Sequence, residues 1–198
     1  MKKVTLKELK ELALQAKGEL WQQAKSLGRD VKLYLHWSAG HYGQFFDDYH
    51  INIDKDGSCY IATDNLADIL AHTWKRNTGS IGITLACGYQ ATSNDLGVEP
   101  PTDQQIETMA RVITVLADAL DLTIDIFRVM THGEAADNLD DYTGAYGDDD
   151  CYGPATTCER WDLAILKNGD AWCSGGDTLR DKANWYRSTY PDGVENYF

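Results

Sequence analysis

The chain opens on an amphipathic pattern in which Leu6, Leu9, Ala13, Ala16, Leu20, Ala24 and Leu27 recur at the spacing of one helical face. Thr5 and Glu8 form a capping box ahead of it, and Gly28 supplies a C-terminal stop. A helix is therefore predicted within residues 1–30, with its apolar stripe turned to a core. The period then becomes alternating: Val31, Leu33 and Leu35 interleave with Lys32 and Tyr34, and the run ends in His36-Trp37-Ser38-Ala39-Gly40. This is a strand that delivers an imidazole to its carboxyl end. In open α/β sheets that edge is where ligands gather.

A second strand is predicted over Asp47-Asp48-Tyr49-His50-Ile51-Asn52-Ile53, turning at Asp54-Lys55-Asp56-Gly57 into Cys59-Tyr60-Ile61-Ala62 as a hairpin. Tyr49 and His50 would then point to opposite faces. The segment from Ala71 to Gly79, carrying His72 and Asn77, reads as a surface loop, and Ser80 to Cys87 as a central strand buried on both faces. After Pro100-Pro101, the pair Thr102 and Gln105 caps a second amphipathic helix through Ile106, Met109, Ile113, Leu116 and Leu120. Ile126 to Thr131 reads as a short strand with His132 at its end, so the strand-then-histidine arrangement occurs twice. From Gly133 to Glu159 the pattern is that of a loop, with acids at Asp137, Asp140, Asp141, Asp148, Asp149 and Asp150 but without the ligand spacing of an EF-hand. Arg160-Trp161-Asp162-Leu163 leads into a short apolar segment, and Gly176 to Arg180 starts a terminal helix through Trp185 and Tyr186. No internal repeat or linker is visible. The prediction is one α/β domain, a central mixed sheet flanked by helices.

Composition narrows the function. A chain of 198 residues with 43% hydrophobic and 11% aromatic residues can bury a sound core without disulfide staples. No apolar run approaches the roughly 20 residues of a membrane span. The Met-Lys-Lys start is followed by further charge where a signal peptide needs an apolar core, which predicts cytoplasmic synthesis without Sec-type export. A formal net charge of -13 and a pI near 4.6 argue against a nucleic-acid binder and against attraction to anionic membranes or wall polymers. Any such target must be held by shaped contacts. Five cysteines with no Cys-x-x-Cys pair disfavour a zinc ribbon. Cys151 and Cys158 bracket a short loop and can bridge in an oxidising compartment, with reduced thiols the preferred reading.

The chemistry converges on His36, His132 and Asp162. Two strand-end imidazoles and a carboxylate suit a catalytic zinc, in which three protein ligands leave the fourth position open to water. Such an ion makes amide hydrolysis feasible at neutral pH.

The succession Leu35-His36-Trp37-Ser38-Ala39, Tyr49-His50-Ile51-Asn52-Ile53-Asp54 with Asp56-Gly57, Ser80-Ile81-Gly82-Ile83, Thr102-Asp103-Gln104-Gln105 and His132-Gly133-Glu134 resembles the type 2 zinc N-acetylmuramoyl-L-alanine amidases. Peptidoglycan recognition proteins and phage lysozyme-type amidases share that fold. The resemblance spans roughly residues 31–165, leaving 166–198 as a C-terminal helical segment and no separate wall-binding domain. It implies one zinc ion on His36, His132 and Asp162, with Asp137 and Cys158 as fallbacks for the third ligand. It places Tyr49 where a tyrosine orients or deprotonates the water, and Arg160 where a lysine is common. An arginine there can stabilise an oxyanion but cannot carry a proton. His72 and Asn77 fall on the substrate side, and Glu134 orients a neighbour or caps a loop. Trp37, Phe45, Trp74 and Trp161 are available to line a saccharide and peptide groove. The implied activity is cleavage of the amide between N-acetylmuramic acid and L-alanine in peptidoglycan. The leading role is a bacteriolytic phage endolysin, released to the wall by a holin-like partner. A cytoplasmic muropeptide-recycling amidase and a non-catalytic peptidoglycan-binding module are the alternatives.

Overall fold

The computed structural model describes residues 1–140 and 151–198. In chain order it contains β1 (Lys2–Val4), α1 (Leu6–Ser26), β2 (Lys32–Trp37), β3 (Ile51–Ile53), β4 (Cys59–Ile61), β5 (Ser80–Leu85), α2 (Asp103–Ala119), β6 (Val129–Thr131), α3 (His132–Ala136) and α4 (Gly175–Thr189). Both predicted capping boxes form: Thr5 with Glu8 starts α1, and Thr102 with Gln105 starts α2. The six strands make one mixed sheet in the order β1-β4-β3-β5-β2-β6. β3, β5, β2 and β6 run parallel, whereas β4 pairs antiparallel with both β3 and β1. The domain is thus the expected α/β architecture with a mixed sheet.

Side-chain alternation separates the two faces of the sheet. Leu33, Leu35, Ile51, Ile53, Ile81, Ile83, Leu85 and Val129 join the main core with Leu9, Leu20, Met109, Ile113, Leu116 and Leu179. α2 is central in that layer, packed between α1 and α4 and against β3 and β5. The other face carries Lys32, Tyr34 and His36 of β2 and Gly82 of β5. There Tyr34 packs with Met130 and Ala135 in a separate small cluster.

Several predicted boundaries move. Asp47 to His50 is a turn rather than strand, so Tyr49 reaches the site from a loop and not from a pleat. Residues 71–79 are irregular as expected, and Ala71, Trp74 and Lys75 are exposed, but the surface-loop reading fails at His72, Thr73 and Arg76, which are buried. Arg76 is tolerated inside because it donates to both oxygens of Asp140, at 2.9 and 3.1 Å, and to Asn138 at 2.8 Å. Lys32 is buried for the same reason, bonded to Asp140 and to the Phe127 carbonyl at 2.6 Å. The stretch after His132 begins as the short helix α3, with Thr131 and Glu134 in a third capping box. Asp141, Asp148, Asp149 and Asp150 of the predicted acidic loop lie outside the described residues. Cys158 is a free thiol, so no bridge to Cys151 is formed. No helix among the described residues is long and apolar enough to cross a membrane.

Candidate active site

Parallel pairing brings the two histidines together. β2 and β6 run side by side with Leu35 opposite Thr131, so the next residue on each, His36 and His132, lies at the same edge of the sheet. Their ring centroids are 4.7 Å apart. Asp162 reaches them from a turn after Trp161, closed by the Ala164 amide on the Trp161 carbonyl at 2.9 Å. Its Oδ2 stands 3.5 Å from His36 Nδ1 and 3.4 Å from His132 Nδ1. All three side chains are buried, and their ligand atoms lie within 4.8 Å of one another.

The group fits a zinc ion by two tests. Tetrahedral bonds of about 2.0–2.1 Å separate neighbouring ligand atoms by roughly 3.3–3.4 Å, close to both distances to Asp162. His36 Nδ1 is also buried with no hydrogen-bond partner, a costly state for a polar atom unless something else occupies it. Burial lowers the pKa of His36 to about 4, against the opposing pull of Asp162, so its ring is neutral at pH 7 and able to ligate. Burial alone would raise Asp162, but the two imidazoles outweigh it and hold the carboxyl well below the usual range. The fallback ligands are elsewhere: Asp137 accepts from the Ala155 amide at 2.8 Å and from the Thr156 hydroxyl, and Cys158 is not in the cluster.

Two cavities meet at this edge. One of about 400 Å³ is bordered by Trp37, Tyr49, His72, His132, Arg160 and Asp162. The other, of about 620 Å³, is bordered by His72, Trp74, Asn77, Tyr152 and Arg160. His72, His132 and Arg160 belong to both. Tyr49 stacks obliquely near His36, with centroids 5.0 Å apart. Burial, reinforced by the charges of Asp162 and Asp48, pushes its phenol far up, so it is a hydrogen-bond donor at neutral pH and a poor base. Trp37 is buried edge-on against Trp161 at 4.6 Å, whereas Trp74 is largely exposed. Phe45 borders neither cavity and stacks on Tyr60. Asn77 borders the larger cavity, but its Oδ1 accepts from the His72 and Thr73 amides at 3.2 and 2.8 Å. Its carbonyl end is committed to the loop. His50 is structural: it accepts from the Gly82 amide at 3.0 Å through Nδ1 and bonds the Asp68 carbonyl through Nε2. Glu134 returns its carboxylate to the Thr131 amide and pairs with Arg180.

Thr73 had no signal in the sequence. Its hydroxyl is 3.3 Å from His36 Nε2 and 2.9 Å from His72 Nδ1. Only the fold, by burying His72, Thr73 and Arg76 of the 71–79 segment, brings it to His36.

A sheet edge with two imidazoles and a carboxylate converging beside a divided cleft defines a hydrolase-like site able to take a metal. The chain belongs to the N-acetylmuramoyl-L-alanine amidase family, whose model matches residues 18–154. It is accordingly an N-acetylmuramoyl-L-alanine amidase, and its substrate is peptidoglycan. Asp162 lies beyond the matched residues. Among solved structures, the endolysin N-acetylmuramoyl-L-alanine amidase LysCS from Clostridium intestinale URNW is similar at 17% identity and a TM-score of 0.39, over 52% of this chain and 68% of that one. Comparison with curated protein sequences gives no match.

Proposed function

We propose that the protein cleaves the amide between the lactyl group of N-acetylmuramic acid and L-alanine of the stem peptide in a zinc-dependent reaction, with His36, His132 and Asp162 as ligands. The observation that carries this is the convergence of three buried ligand atoms within 4.8 Å of one another, one of them, His36 Nδ1, without a hydrogen-bond partner. A zinc bound there would supply Lewis acidity toward the scissile carbonyl and acidify a water to a pKa near 7. The chain's own residues do the rest. Tyr49 keeps its proton and donates from its phenolic oxygen, orienting the nucleophile or the developing oxyanion. Arg160, permanently charged on the shared rim, stabilises the same negative charge without exchanging a proton. Trp74 offers an exposed apolar face to saccharide or peptide, Trp37 contributes only a buried edge to the cavity wall, and His72 walls both cavities. Asn77 serves the substrate indirectly, by holding the loop that carries His72.

The role we assign is lysis of the cell wall, as in an endolysin. Two open cavities that share His72, His132 and Arg160 in their walls suit a polymer better than a closed pocket for a small muropeptide would. His36→Ala should abolish both stoichiometric zinc and hydrolysis while the folded protein still sediments with peptidoglycan. Unchanged hydrolysis would sink the zinc site. Release from intact sacculi supports the lytic role, whereas turnover of soluble muropeptides alone would assign the enzyme to recycling.

A further inference from the structure

We propose that the Thr73 hydroxyl is a positioning group that fixes the tautomers of two cleft histidines at once, leaving His36 Nδ1 free for the ion and placing the proton of His72 on Nε2. This rests on the zinc reading above and extends it to residues that touch no metal.

The inference follows from counting protons. A neutral imidazole carries one hydrogen, so if His36 ligates through Nδ1 its hydrogen sits on Nε2. That nitrogen faces Thr73 Oγ1 at 3.3 Å, which must then accept. A hydroxyl has a single hydrogen, and the other ring nitrogen within reach is His72 Nδ1, at 2.9 Å. The buried hydroxyl hydrogen needs an acceptor, so Thr73 donates there, His72 Nδ1 is the acceptor, and the His72 proton resides on Nε2. The opposite orientation would place a hydrogen on His36 Nδ1, between Asp162 and the site of the ion. One hydroxyl thus selects between a ligand and a blocked ligand.

The surroundings hold this arrangement in place. Thr73 is buried in the wall of the larger cavity, which limits competition by water for its hydroxyl. The Asn77 carboxamide oxygen accepts from the backbone amides of both His72 and Thr73, which ties the two residues to the far end of their own loop. The His72 ring packs against β5, where Gly82 leaves it room: a β-carbon there would meet the ring at 2.6 Å. His72 Nε2 is buried without a protein partner. With its hydrogen assigned, it is a donor in the wall common to both cavities, available to a bound water or a substrate carbonyl.

The test compares Thr73→Val, which keeps the shape and loses the hydroxyl, with Thr73→Ser, which keeps the hydroxyl. Zinc affinity is read by chelator competition, and imidazole tautomers by long-range ¹H–¹⁵N correlation on the zinc-loaded wild type. We expect Thr73→Val to lose about 10- to 100-fold in zinc affinity, as for other partners of metal-bound histidines, and Thr73→Ser to retain most of it. We also expect His72 of the wild type to be the Nε2–H tautomer. A folded Thr73→Val protein with wild-type zinc affinity, or a His72 Nδ1–H signal, overturns the role of Thr73 while leaving the zinc site standing. A wild type that binds no zinc overturns both.

Discussion

A β-carbon on Gly175 would fall 1.8 Å from the carbonyl oxygen of Leu163. The first residue of α4 thus packs directly on the turn that presents Asp162, and Leu163 itself holds a left-handed φ of 59°. The ligand turn is wedged between α3 and the start of α4. Gly175→Ala must push backbone against backbone, and we expect a loss of about 1–3 kcal/mol in stability together with weaker zinc binding. Gly18 is the control. It is exposed inside α1 with nothing near its missing β-carbon, so Gly18→Ala should stabilise by about 0.5–1 kcal/mol and leave zinc affinity alone. Urea titration and chelator competition on both variants read the difference, and equal effects would refute the wedge.

Arg180 ties α4 to α3. Its guanidinium makes a two-pronged pair with Glu134, at 2.8 and 2.7 Å, and a third bond to the Val129 carbonyl, all buried. Arg180→Ala leaves the Glu134 carboxylate inside without its counter-charge, a change that costs about 3–5 kcal/mol. Against a typical total of about 5–15 kcal/mol this should move the urea midpoint substantially. A shift worth under about 1 kcal/mol would show that water replaces the pair.

Stability should fall on mild acidification. Burial lowers the pKa of His50 to about 4 in the folded protein, despite its bond to the Asp68 carbonyl, against about 6.5 in an unfolded chain. Between those values the unfolded chain binds a proton that the folded one refuses, so stability rises with pH across that window. The contribution is fully present above about pH 6.5 and is lost as the pH falls through about 4. At 1.36 kcal/mol per unit it amounts to about 3 kcal/mol. Denaturation of the metal-free protein from pH 7 to 4 should show this slope, and His50→Gln, though less stable, should reduce it by that share, leaving the part that His36 and His72 contribute through the same burial. A variant with the wild-type slope would exclude His50 as the source.

Tyr49→Phe separates donor from base. With the phenol held protonated, removing its hydroxyl should lower kcat by about 100-fold, as for a lost oxyanion donor, with little change in KM. The alkaline limb of the pH–rate profile should survive the substitution. Disappearance of that limb would mean that Tyr49 ionises during turnover.

The sequence is informative where signals are local. Thr5 with Glu8 and Thr102 with Gln105 mark the helix starts because a capping box is complete within one turn. His36 and His132 are readable as strand-end residues for a similar reason, and their convergence follows once β2 and β6 are parallel. Distant partners are invisible to pattern. Lys32 and Arg76 look like surface residues until Asp140 is found beside them, and this is why the 71–79 segment is mistaken for an exposed loop. β1, three residues long, carries too little alternation to register. Asp162 sits in a turn with no periodicity, so no local pattern separates it from the other acids as the partner of the two histidines. Thr73 is silent, since a threonine beside a histidine means nothing until burial turns it toward His36.

The central claim is metal-dependent cleavage at a defined bond, and mass spectrometry of products from purified peptidoglycan tests it most directly. The protein is assayed as isolated, after chelation, and after zinc is restored. The account predicts free stem peptides beginning at L-alanine, lost on chelation and regained with zinc. The same peptides released at full rate by folded, metal-free protein would contradict it.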